Sequence, residues 1–145
     1  VEIYNTTLDT FKLSGCRLAK TKGSISQNTS LTLDTSLIIG PDEYLVLGRD
    51  SVAFANWNYS TFTLTNSGQS LVLYCQETLV DSLNYLEDKN SDLFPLGRGE
   101  SLELNFKLWN QNDIASSWCA GSSSFNYDTT YIASGSPGSK NNCGS

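Results

Sequence analysis

Histidine is absent from this chain of 145 residues. That excludes Ser-His-Asp triads, Cys-His dyads and every metal site built on imidazole. Methionine is missing too, proline occurs three times, and lysine and arginine together only nine times, never adjacent. Against 15 Asp and Glu the formal charge is −6. An acidic surface without basic clusters repels phosphate backbones, so nucleic acid is not expected as a partner. No apolar run approaches the roughly 20 residues of a membrane-spanning helix, and no membrane insertion is expected. None of the four cysteines forms a Cys-x-x-Cys pair, which removes zinc-ribbon and thioredoxin-type readings.

What is abundant is serine, threonine and asparagine, together 21, 13 and 13 residues, against six alanines. These side chains compete for backbone hydrogen bonds inside helices and favour strands and turns. The length suits one domain with a core of its own, spanning 1–145. Opening on the strand-like Val1-Glu2-Ile3-Tyr4, the chain reads as a piece of a larger protein.

Short segments with period-two alternation recur between turn residues. They are Glu2–Asn5, Leu13–Ala19, Ser30–Ile39, Glu43–Arg49, Ser60–Thr65, Ser70–Cys75, Leu79–Tyr85 and Ser101–Phe106. Gly40-Pro41-Asp42 and Asn66-Ser67-Gly68 break them, and Gln76-Glu77 is read as the turn of a hairpin. In the last segment Leu102 and Leu104 share one face. Asn112–Trp118 could make one helical turn, capped by Asn112 or Asp113. The pattern predicts an all-β sandwich of about seven to nine strands over 1–118. Residues 119–145, rich in Gly, Ser and Asn, read on composition as a flexible linker.

Cys16 falls in phase with Leu18, and Cys75 with Leu71 and Leu73, so both are expected on inward faces. A second pair, Cys119 with Cys143, would tether the C-terminal tail to the body. Four cysteines allow two other connectivities. Two structural disulfides imply an oxidising, extracellular setting.

With the strands placed, an ordered set of phrases resembles the lamin-tail domain family. It comprises Glu2-Ile3-Tyr4-Asn5-Thr6, Leu13-Ser14-Gly15, Tyr44-Leu45-Val46-Leu47-Gly48-Arg49 and Leu64-Thr65-Asn66-Ser67-Gly68-Gln69-Ser70-Leu71-Val72-Leu73. Phe94-Pro95-Leu96-Gly97-Arg98-Gly99 and Ser136-Pro137-Gly138 complete it. The likeness runs from residue 2 to about 143 and is closer to bacterial extracellular members than to nuclear lamins, notably in Trp118-Cys119 with a late cysteine. It implies an immunoglobulin-like β-sandwich. One departure is Cys16, where the family commonly carries a tryptophan; a disulfide to Cys75 would fill the volume an indole leaves. Bacterial copies resemble accessory modules appended to secreted hydrolases, nucleases or surface proteins. The chromatin role of nuclear lamin tails does not carry over to a chain of charge −6.

Candidate chemistry is sparse. Glu87, Asp88 and Asp92 cluster in one loop and Asp42-Glu43 sit at another turn. Oxygen ligands of this kind can hold calcium, though no EF-hand spacing is present, and surface carboxylates are ordinarily just solvated. Phe54-Ala55-Asn56-Trp57-Asn58-Tyr59 interleaves aromatic rings and amides in an expected loop, the combination that sugar-binding modules use for stacking and directional hydrogen bonds. Trp57 and Tyr59 are therefore the candidate ligand contacts, against the alternative that Trp57 closes one end of the core. Trp109 is expected in the core, and Trp118 beside the Cys119 disulfide. Arg98 between glycines reads as a turn. No cofactor is expected. The resulting expectation is a non-catalytic extracellular binding or adhesion module for a glycan or a cell-surface protein, or else a spacer with no ligand.

Overall fold

A computed structural model describes residues 1–22, 24–64, 70–85, 94 and 99–143, with the side chains of 21–29 left aside. The chain is all-β, with thirteen strands among the described residues and only two short 3-10 segments. Five strand groups form. A three-stranded sheet has the order β1 (Glu2–Tyr4), β6 (Tyr44–Arg49), β7 (Trp57–Tyr59). A four-stranded antiparallel sheet runs β4 (Ser24–Thr32), β3 (Cys16–Lys22), β8 (Ser70–Cys75), β9 (Thr78–Asn84). Three ribbons complete the set: β2 (Phe11–Lys12) with β5 (Ile38–Ile39), β10 (Leu102–Leu104) with β11 (Trp118–Ala120), and β12 (Ser124–Asn126) with β13 (Ile132–Ser134).

One core joins the two larger sheets. Leu45 and Leu47 of β6 meet Cys16 and Leu18 of β3 and Leu31 of β4, with Phe62, Leu33 and Ile39 filling between them. Ile3, Trp57, Tyr59, Leu71 and Leu73 pack around that centre. In β6 the residues Leu45, Val46, Leu47 and Gly48 are all buried. A strand covered on both faces carries a continuous apolar run instead of alternation, as Tyr44-Leu45-Val46-Leu47 does. The second cover is the C-terminal segment, whose Gly138 lies beside Val46.

The hairpin between β8 and β9 turns at Gln76-Glu77, both at positive φ (52° and 59°), as a two-residue type I′ turn requires. Neither is glycine, so the turn is held from outside: Gln76 donates through its amide N–H to the carbonyl of Gly15 and through Nε2 to that of Ser14. Arg17 grips Glu77 through Nε and Nη2. Cys16 and Cys75 are paired directly across β3 and β8, 4.0 Å apart at Cα, and Cys119 and Cys143 at 5.8 Å; both pairs are disulfide-bonded. The expected pairing holds, although Cys16 and Cys75 link neighbouring strands of one sheet.

Several expectations change. The strand expected over Ser60–Thr65 lies instead at Trp57–Tyr59; Phe62, with no exposed surface, is a core plug in an irregular segment. In β10 the inward residue is Glu103, 3 % exposed, while Leu102 and Leu104 are half-buried. A carboxylate is tolerated there because Ser101 Oγ, Ser136 Oγ and the Asn142 N–H all donate to it. The 3-10 segments cover Phe106–Gln111 and Ala115–Ser117, and the side-chain cap is Asn105, whose Oδ1 accepts from the Lys107 N–H. Trp109 is 52 % exposed, not in the core.

The segment after Cys119, linker-like in composition, contains β12 and β13 and is bonded back to the body at several points. Gly138 N–H donates to Glu2 Oε2 at 2.6 Å and Asn141 Nδ2 to the Leu104 carbonyl. Lys140 Nζ sits 3.5 Å above the Phe106 ring. Polar side chains here make ordered bonds, which composition alone does not reveal.

Candidate ligand-binding face

Trp57 and Tyr59 lie on β7, which pairs with β6 in parallel: Leu47 with Trp57, Gly48 with Asn58, Arg49 with Tyr59. Parallel neighbours ordinarily need a crossover of a dozen or more residues, and here residues 50–56 suffice. The connection folds tightly over Gly48. A Cβ at Gly48 would meet Asn58 Oδ1, Ala55 Cβ and Val52 Cβ at 2.6–2.7 Å, so glycine is required by space.

The amides of this segment are spent on the same fold. Asn56 Oδ1 accepts from the Val46 N–H at 2.7 Å while the Asn56 N–H donates to the Val46 carbonyl. Asn58 bonds both backbone groups of Val52. The interleaved pattern implied amides laid out for a ligand; Asn58 is fully used within the fold, and Asn56 has its Oδ1 engaged. Trp57 and Tyr59 are half-buried against the core, with ring centroids 6.0 Å apart, and Tyr59 meets Phe62 edge-on at 6.1 Å. Burial pushes the Tyr59 hydroxyl above its ordinary pKa.

A pair of exposed rings in contact with each other lies on the β12–β13 hairpin, a segment that reads as linker in the sequence. Tyr127 and Tyr131 are 42 % and 46 % exposed, edge-to-face at 6.3 Å, and Ile132 beside them is 66 % exposed. Phe54 backs them, edge-on to Tyr127 at 5.8 Å and to Phe125 at 5.2 Å. Phe54, in the connection between β6 and β7, is the ring that joins this hairpin to the segment carrying Trp57 and Tyr59.

The loop carrying these rings is held by local hydrogen bonds. Asp128 Oδ1 accepts from the N–H and hydroxyl of Thr130 and from the N–H of Tyr131, at 2.7–2.9 Å. Those bonds hold its carboxyl below the usual range. The Tyr127 N–H closes the loop on the Tyr131 carbonyl. The available signal was the alternation Phe125-Asn126-Tyr127 with Tyr131 after an Asp-Thr-Thr turn.

The other expectations fall elsewhere. Glu87, Asp88 and Asp92, like Asn66-Ser67-Gly68 and Arg98, lie outside the described residues. Among the described residues no three His, Cys, Asp or Glu side chains gather as a metal site. Trp118 is half-buried and its indole N–H donates to the Asn112 carbonyl at 2.7 Å. No described helix is long and apolar enough to cross a membrane. No protein-family model, curated protein or solved structure matches this chain.

Proposed function

We propose that this chain is an immunoglobulin-like sandwich of the lamin-tail type, serving as a non-catalytic extracellular module that binds glycan through the aromatic face of Tyr127 and Tyr131. Trp57 and Tyr59 border that face. The observation that carries the reading is the exposed tyrosine pair on a loop fixed by Asp128 and backed by Phe54 and Phe125. A contiguous exposed apolar patch, unlike singly scattered apolar side chains, is the kind of surface that marks an interaction site. Tyrosine offers an apolar face for sugar C–H groups and a hydroxyl for sugar hydroxyls, at little cost in conformational entropy. Two disulfides fit an oxidising compartment.

The test is a glycan and polysaccharide array with the oxidised domain and its Tyr127→Ala/Tyr131→Ala variant, with calcium and with chelator. Binding is expected for the parent and lost in the variant, whose Tm stays within a few degrees. A blank array for the parent overturns the glycan assignment in favour of a protein-binding or spacer role. Signal that vanishes in chelator would bring Glu87, Asp88 and Asp92 into the site.

A further inference from the structure

A second feature lies at the other end of β6. Tyr44 starts the strand and Arg49, beside Tyr59, ends it, so five residues separate the two regions, about 17 Å at strand rise. Here a groove of about 360 Å³ opens over a narrow apolar floor, mainly Ile38 because Ile39 and Leu45 are almost fully covered, and Asp42, Glu43, Tyr44, Asn56 and Gly138 make its lining more polar than apolar. That volume is at the small end for ligand clefts, enough for one long side chain.

The walls have a specific chemistry. Tyr44 stacks on Tyr4 across the β1–β6 ladder, centroids 4.5 Å apart and planes 25° from parallel. The Tyr4 hydroxyl donates to Asp42 Oδ1 at 2.9 Å, which orients that carboxylate and pushes the phenol above its ordinary pKa. Glu43 Oε2 accepts from the Gly40 N–H at 2.7 Å. One oxygen of each carboxylate is left for another donor. Among the described residues the ion pairs are Arg17–Glu77 and Arg49–Asp50, and no described cation pairs with Asp42 or Glu43. Lys12, opposite Ile38 on the β2–β5 ribbon, makes no ion pair with either. Exposed Ile38 (51 %) and Phe11 (45 %) continue the apolar floor outward.

We infer that this groove docks an arginine side chain presented by an extended segment of a protein partner. Its aliphatic stem lies along the exposed Ile38, as long cationic side chains cover apolar surface. The planar guanidinium meets the negative face of a tyrosine ring and donates its fork to the free oxygens of Asp42 and Glu43. A lysine lacks both the plane and the fork, so arginine is preferred. The net charge of −6 steers such a segment inward. This site is independent of the glycan face in residues and in probe.

The experiment titrates the 15N-labelled domain with N-acetyl-arginine-amide, N-acetyl-lysine-amide and N-acetyl-norleucine-amide at low salt. The arginine probe is expected to shift the amides of Asp42, Tyr44 and Gly138 saturably, more tightly than lysine, with norleucine without effect. Asp42→Asn/Glu43→Gln keeps an acceptor for Tyr4 and for Gly40, so the fold is retained, and should weaken the arginine probe about tenfold. Equal binding of norleucine, unchanged affinity in the variant, shifts scattered over the acidic surface, or no shift at all would each overturn the assignment.

Discussion

At the scale of single residues, the charged groups that matter are those taken out of water. Glu2 is the clearest. Burial raises its pKa, opposed by the Gly138 N–H and the chain amino group, and the Glu103 carboxylate adds to the rise. A carboxyl whose folded-state pKa exceeds the unfolded value opposes folding when ionised. Stability is therefore lost as pH rises from about 4.5 through the raised value. Glu2→Gln retains an acceptor for Gly138 and removes that cost. Its Tm should match the parent at pH 4 and exceed it at pH 8, read by calorimetry across that range. A variant less stable at pH 8 would show that ionised Glu2 holds the C-terminal segment favourably. Asp34 and Asp128 act with the opposite sign: their pKa values are lowered by Ser36 and Thr130, so their contribution fades only as pH falls through the lowered values. Glu103 shows why pattern reading fails at one position. Alternation sets Leu102 and Leu104 on one face, and no local signal announces that Ser136 and Asn142, over thirty residues away, supply donors to a buried acid between them.

Elements were legible where their pairing is local. The β8–β9 hairpin and the apolar run of β6 follow from short-range pattern and turn chemistry, and so does the phase of Cys16 and Cys75. The β6–β7 pairing was not. A parallel neighbour joined by residues 50–56 depends on Gly48 leaving room and on Asn56 and Asn58 bonding backbone groups of Val46 and Val52. Asn58→Ala should cost about 1–3 kcal/mol, because it leaves both polar groups of Val52 without their partner. Chemical denaturation checks it, and a loss below ~0.5 kcal/mol would show the connection to be held by packing alone. The exposed edge of the four-stranded sheet is blunted at β9. The register shifts between Leu73 and Tyr74, leaving Val80 without an opposite residue, and Asn112 Nδ2 donates to Asp81 Oδ1. Both features discourage edge-to-edge pairing.

On the scale of the whole molecule, the two disulfides close loops of 59 and 24 residues in sequence separation. On the chain-entropy account each contributes about 3–4 kcal/mol by restricting the unfolded chain. Alkylation under denaturing, non-reducing conditions should leave the intact mass unchanged, and four alkylated thiols would remove the main support for an extracellular setting. The sequence by itself determined the all-β class, the phase of Cys16 and Cys75 and the exclusion of histidine chemistry, because composition, strand phase and turn residues act over a few neighbours. Only the tertiary structure decided that the Ser- and Asn-rich C-terminal segment is ordered, that Trp57 and Tyr59 lean on the core, and that Tyr127 and Tyr131 carry the exposed aromatic face. Those outcomes rest on contacts between residues far apart in the chain, such as Gly138 with Glu2 and Phe54 with Tyr127, whose geometry exists only once the sheets have assembled.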